Sequence, residues 1–402
     1  TREGSLGVLA DASITIPLLR GAGWRVNTAD LTQAQRNLLY AVYDFERSKR
    51  SFAVEVAQEY FSVLERRNTL RNAEENYRRL VASTRRARKL ADSGRLPEFQ
   101  FDQAVQDELK ARDRWVRARQ TLDNAVEGFR VLLGLPPEAN VRIAAAEMDT
   151  LTYSWERSME DEVPADYSGD VPPADAPVHL EPPGSGTPGP LEIASDRALR
   201  IAMENRLDLR MAAAQIGDAQ RELFIAADNL RAELTLLVSA SSGATRSVAS
   251  AGSEDDWPRP YRGDYSGLLS LDLPLERTAE RNRYRNALFD LDQAVRKYQG
   301  LEDEVKAAVN ERLRDLLQAR EGVQIQRQAV RLAEKRVQST DLFLQAGRAE
   351  IRDVLDAEED LLTARNSLIS ALVDYRIAEL ALQRDLGVLQ IGADGIMQEF
   401  IP

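Results

Sequence analysis

Two aspartates three residues apart, Asp353 and Asp356, are the groups in this sequence best placed to do chemistry. At that spacing they share one helix face. Acids sharing a face can attract a passing cation and repel an anion. The plainer reading is two solvated acids in the first turn of a helix, where the macrodipole favours them. Most other chemistry is closed off. There is no cysteine, which excludes disulfides, thiolate zinc sites, iron–sulfur clusters and cysteine nucleophiles. The one histidine, His179, stands among prolines, so neither a histidine metal site nor a Ser-His-Asp triad is expected. Acidic pairs such as Glu358-Glu359 fall on helix faces with no opposing acid. The expectation is a protein that is not an enzyme and carries no metal or cofactor.

The elements that must hold these acids follow from composition. Charged residues make up 29% of the 402, apolar ones 43% and aromatics only 6%, a mix that suits long helices packed along thin seams. The net charge of −12 is the wrong sign for wrapping phosphates, so nucleic acid is not an expected partner. No run of 18 apolar residues offers a transmembrane helix, whereas a membrane β-barrel needs only alternation and stays open.

The chain is written twice. A shift of 253 residues aligns Gly94-Arg95 with Gly347-Arg348, Ala104 with Ala357, Asp107 with Asp360, Ala111-Arg112 with Ala364-Arg365 and Leu133-Gly134 with Leu386-Gly387, without a gap. Each copy reads as a long helix, a tight glycine turn and a return helix. Repeat 1 covers 1–134, with a strand at 5–16, a long helix at 27–91, a tip turn at 92–97 and a return helix at 98–133. Residues 135–194 are irregular and hold ten of the 16 prolines. Repeat 2 covers 195–387, with a helix at 195–229, strands at 233–241 and 264–273, a long helix at 277–345, a tip turn at 346–349 and a return helix at 350–386. A tail, 388–402, follows. A helix of 65 residues is a rod of roughly 100 Å. Apolar rows at a spacing of seven, Val354-Leu361-Leu368-Tyr375-Leu382 and Leu355-Leu362-Ile369, predict antiparallel coiled-coil packing.

The strands alternate. Leu6, Val8, Ala10, Ala12, Ile14 and Ile16 oppose Ser5, Gly7, Asp11, Ser13 and Thr15. Leu269, Leu271 and Leu273 oppose Ser270 and Asp272, and Leu234, Leu236 and Val238 oppose Glu233, Thr235 and Ser239. Alternation alone fits both a soluble sheet with one wet face and a membrane barrel. The barrel reading makes Leu6, Val8, Ala10, Ile14, Ile16, Leu269, Leu271 and Leu273 the lipid-facing set. Pro17 and Pro274 close the strands, and the Ser/Gly-rich loop 241–262 carries Trp257 and Tyr261 near its base, as at a membrane interface. A basic run precedes the first tip: Arg78, Arg79, Arg85, Arg86, Arg88 and Lys89.

This order of elements, with Asn205-Arg206-x-Asp208-Leu209, Asp353-Val354-Leu355-Asp356 and the tip glycines Gly94 and Gly347, resembles the TolC-type outer-membrane efflux proteins along essentially the whole chain. The resemblance implies a mainly α fold with β. Long α-hairpins would form a trimeric periplasmic tunnel, and four strands per copy a 12-stranded barrel. The midsection and tail would form an equatorial belt. It implies a homotrimer in outer-membrane lipid, an exit duct for efflux or type I secretion, served by a periplasmic adaptor and an inner-membrane transporter. Asp353 and Asp356 would line the periplasmic gate. Gly94, Arg95, Leu96, Gly347 and Arg348 would be the adaptor-docking tips. Two departures stand out. Three strands are present, so the family's first helix and strand would lie upstream of Thr1, and the tyrosine and arginine that tie the family's gate fall at Leu344 and Ala349. The alternative is a soluble periplasmic coiled-coil spacer or an adaptor.

Overall fold

The computed structural model describes residues 5–6, 9–136, 138–141, 143–144, 191–243, 246–247, 263–273, 275–392, 394–398 and 400. In chain order the elements are β1 (Ser5–Leu6), β2 (Leu9–Pro17), α1 (Trp24–Asn27), α2 (Ala29–Asp92), α3 (Glu98–Leu132), α4 (Ser195–Asn205), α5 (Leu207–Asp228), β3 (Glu233–Gly243), β4 (Arg246–Ser247), β5 (Asp264–Asp272), α6 (Thr278–Gln345), α7 (Ile351–Leu386), β6 (Gln390–Ile391) and β7 (Met397–Gln398). Helices of 64 and 68 residues dominate. Neither α2 nor α6 is strongly apolar, so tertiary seams rather than propensity hold them. His179, Val8, Trp257, Tyr261 and Pro274 lie outside the described residues.

The chain divides into two compact units that cut across the sequence copies: Thr1–Phe45 with Leu207–Asp303, and Glu46–Arg206 with Glu304–Pro402. The first unit is built on an antiparallel sheet in the order β2-β3-β5. Ile14 pairs with Val238, Ile16 with Leu236, Leu236 with Leu269 and Leu234 with Leu271, so the apolar residues of all three strands share one face. Asp11, Ser13 and Thr15 share the other with Thr235, Ser239, Ser241, Ser266 and Ser270. Ser239 and Ser266 hydroxyls meet there at 2.7 Å. The polar face is less uniform than the alternation suggests, because Leu237 pairs with Leu268 beside Thr15. β1 and β4 pair antiparallel as a separate two-stranded ladder. Below the sheet, the Leu18 N–H donates to Leu234 O at 2.7 Å and the Gly21 N–H to the buried Asp228 carboxylate at 2.7 Å, which fixes the turn into α1.

In the second unit two apolar clusters hold α2 against α7. One gathers Val54, Ala57, Phe61 and Leu64 with Val373, Leu380 and Leu389. The other gathers Leu80, Ala87, Ala104 and Ala111 with Ile351 and Leu355. Burying each large side chain contributes about 1.5–3 kcal/mol. The heptad rows on α7 lie inward: Val354, Leu361, Tyr375 and Leu382 are buried, as are Leu355 and Leu362.

The helix expected over 195–229 is interrupted. Arg206 is extended (φ −71°, ψ 123°) and separates α4 from α5. The cause is tertiary. The Arg206 guanidinium donates to Asp385 O at 3.0 Å, and Gly387 at the end of α7 sits so close that a Cβ there would lie 2.9 Å from Asn205 O.

Candidate functional site

The tips are built by the same backbone device twice. At Gly94 (φ 69°) the glycine N–H donates to Ala91 O and the Arg95 N–H to Leu90 O, both at 2.9 Å. At Gly347 (φ 68°) the glycine N–H donates to Leu344 O and the Arg348 N–H to Phe343 O, at 3.0 and 2.8 Å. This left-handed closure satisfies carbonyls at the helix end and is open to glycine at little steric cost. The two turns meet at one end of the second unit, where half-buried Leu96 and Leu344 pack on the cluster of Leu80, Ile351 and Leu355. Of the five tip residues, Leu96 therefore points inward, while Arg95 and Arg348 are exposed.

Asp353 and Asp356 lie in the first turns of α7, on the exposed face opposite Val354 and Leu355. Each has a local role. The Asp353 carboxylate accepts the Glu350 N–H at 2.9 Å in a reciprocal capping box, and Asp356 stands 3.7 Å from the Arg352 guanidinium. Among the described residues, no group of three or more His, Asp or Glu side chains is arranged to hold a metal ion.

The basic run before the first tip is largely absorbed within the unit. Arg78 pairs with Glu74 at 2.5 Å, Arg79 with Glu358 at 2.9 Å and Arg86 with Asp341 at 2.7 Å. Arg88 meets Asp92 and Glu98 and lies over the Phe101 ring at 4.9 Å. The Arg79 and Arg86 pairs, with Arg114–Glu359 at 2.8 Å and Arg365–Glu75 at 3.6 Å, cross from one α-hairpin to the other. The sequence offered no signal for these partners, which stand more than 240 residues apart.

In the first unit, Ala10, Ile14, Ile16, Leu269 and Leu271 share the apolar face, and Leu273 follows β5. Ile14 is 61% exposed and Leu269 60%. Val8 lies outside the described residues, and Leu6 is in β1. Sequence reasoning missed a second feature here, the carboxylate of Asp218 on α5. It accepts from Tyr40 Oη at 2.6 Å, Arg36 and Arg221 at 2.7 Å each, and Gln33 at 3.4 Å. Burial opposes its ionisation, but these donors outweigh that and hold it below the usual carboxylate range. No helix among the described residues is long and apolar enough to cross a membrane.

The profile of the family described as outer membrane efflux protein matches residues 5–135 and 198–388, most of the chain. A search of curated proteins finds no match. Among solved structures the chain is similar to the outer-membrane channel OprN, at 16% identity and a TM-score of 0.67, over 95% of this chain and 81% of that one. It is similar also to the outer membrane protein VceC of Vibrio cholerae (14%, TM-score 0.66, 96% and 87%). The MtrE outer membrane channel of Neisseria gonorrhoeae, solved in its open state, gives 14%, a TM-score of 0.64, and 96% and 81%. These likenesses bear on the fold and do not favour a soluble spacer or an adaptor. On the family match, with the sheet and paired helical hairpins that accompany it, the chain belongs to the outer membrane efflux protein family: an exit duct for efflux, seated in the outer membrane and reaching into the periplasm.

Proposed function

We propose that three copies of this chain close one tunnel, with these strands contributing to a 12-stranded barrel in lipid and the tip turns meeting a periplasmic adaptor fed by an inner-membrane transporter. The observation that carries the reading is the sheet of the first unit. On its apolar face Ile14, Ile16, Val238, Leu269 and Leu271 are exposed, and among the described residues β2 and β5 are open edges. An isolated sheet with a bare apolar face and two unpaired edges is an aggregation hazard in water, and a barrel in lipid removes both problems. Ala10, Ile14, Ile16, Leu269, Leu271 and Leu273 would face lipid. Asp11, Ser13 and Thr15 would face the lumen. Leu18, Leu19, Trp24 and Leu275, all exposed at the helical end of the sheet, extend the apolar surface toward the membrane boundary.

Further support comes from α2. Leu31, Leu38 and Phe45 stand seven residues apart on it and are 60%, 69% and 66% exposed. A heptad row left bare in one chain fits a seam with a second copy. The shared closure at Gly94 and Gly347 supports an internal repeat. Asp353 and Asp356 would ring the periplasmic gate, and Gly94, Arg95, Leu96, Gly347 and Arg348 would form the docking tips.

The test is mass measurement in mild detergent together with conductance in planar bilayers. A trimer that conducts is expected, and a stable monomer or dimer overturns the assembly. For the gate, Asp353→Asn/Asp356→Asn removes both charges while leaving an acceptor for the capping box. Loss of block by a multivalent cation is expected, and unchanged block would show that the two acids serve only the helix start.

A further inference from the structure

Between the two apolar clusters, the seam of α2 and α7 carries buried polar groups among its apolar ones. Asn72, Asn76 and Glu358 are all buried. Asn72 Nδ2 donates to Asn366 Oδ1 at 2.9 Å, and Asn76 Nδ2 reaches Glu358 O at 3.5 Å, the limit of a hydrogen bond. The Glu358 carboxylate lies 2.9 Å from Arg79 Nε, but the N–H is not aimed at it. Both Arg79 Nε and Glu358 Oε2 are buried without a hydrogen bond. A charge taken out of water needs close, well-directed donors to offset its desolvation, and at Oε2 this one has an ion contact without a directed hydrogen bond.

We propose that this polar stretch is a built-in weak joint between the two α-hairpins, and that the charge on Glu358 sets its strength: ionised, the carboxylate loosens the seam; protonated, it lets the seam tighten. The surroundings fit. Arg79 on α2 and Arg365 on α7 favour the carboxylate, and Asp341 on α6 opposes it. Arg365 and Asp341 are shared with other partners. Arg365 also meets Glu75 and Glu334, Asp341 is held by Arg86, and on α3 Arg114 is bonded to the neighbouring Glu359. Burial is the largest influence, and it raises the Glu358 carboxyl above its ordinary range. A carboxyl raised in the packed state binds its proton more readily there than in the parted state. Packing is therefore favoured as pH falls through that raised value and weakened as pH rises past it. In a duct assembled as proposed above, parting this seam would loosen the tips. The chemistry of the joint does not depend on that assembly.

The absence of cysteine supplies a direct test in the full chain. Asn76→Cys places a thiol in the seam, and Arg78→Cys places one on the solvent side of the same helix. The ratio of their maleimide rates cancels most of the pH dependence of the thiolate and reports how often the seam parts. The ratio is expected to fall several-fold as pH is lowered from 7.5 into the ordinary carboxylate range. Adding Glu358→Gln should lower the ratio at pH 7.5 to the acidic value and flatten the profile, while Glu359→Gln should leave both unchanged. Ala73→Cys, buried between Asn72 and Asn76, is a second reporter that keeps the Asn76 contact. A flat ratio in the unaltered background, or a Glu358→Gln variant that parts as often as the parent, overturns the proposal. Because the readout is seam exposure, a chain that proved not to be a trimeric duct would still pass or fail it separately.

Discussion

Asp218 and Glu358 are both carboxylates removed from water inside helical packing, yet they behave in opposite ways. Asp218 gathers a phenol, two guanidiniums and an amide, and its carboxyl is held below the usual range. Glu358 has cations near it and no hydrogen bond to Oε2, and its carboxyl is raised. Burial is the common factor, so it cannot be what separates them. Directed donors decide whether a buried carboxylate ties its helices together or strains them.

The sharpest way to break this contrast is Asp218→Ala. It strips the acceptor from Arg36, Arg221 and Tyr40, and a loss of about 2–4 kcal/mol is expected, tempered by the partial exposure of Arg36. Denaturant unfolding followed by helical circular dichroism measures it, and a change within error would mean the network is ornamental. Tyr40→Phe removes one donor and keeps the ring; about 1–2 kcal/mol is expected in the same assay. The pH dependence should then split the pair. The Asp218 contribution is present above the ordinary carboxylate range and is lost as pH falls through its lowered value. The Glu358 contribution is present in acid and lost as pH rises through its raised value. Site-resolved carboxyl titration by NMR should place Asp218 below Glu358, and the reverse order would refute the account of both. The smallest effect belongs to Glu359→Gln. Its carboxylate is 58% exposed beside Arg114, and exposed pairs are worth at most about 1 kcal/mol. A larger loss would mean the Arg114 link does more than an exposed pair should.

Much of the architecture was legible because it rests on local periodicity. Alternation placed Ile14, Leu236, Leu269 and Leu271 on one face, and the strand register then aligned those faces. The glycines at 94 and 347 marked turns because few other residues take positive φ cheaply. The break at Arg206 was not legible. Neither proline nor glycine stands there, and the Asn-Arg-x-Asp-Leu motif gives no hint that Gly387, far along the chain, packs on Asn205. The partners of the basic run were not legible either: Arg79 and Arg86 are committed to Glu358 and Asp341 across the hairpins.

The sequence by itself determined the helical lengths, the turns, the two faces of the sheet and the inward heptad rows, because each is a short-range pattern of side-chain size, polarity and backbone freedom. Only the tertiary structure decided which charges meet, where a helix must break and which carboxylate is satisfied. Those outcomes depend on distances and angles between residues hundreds of positions apart, and a few tenths of an ångström or a misdirected N–H changes their sign.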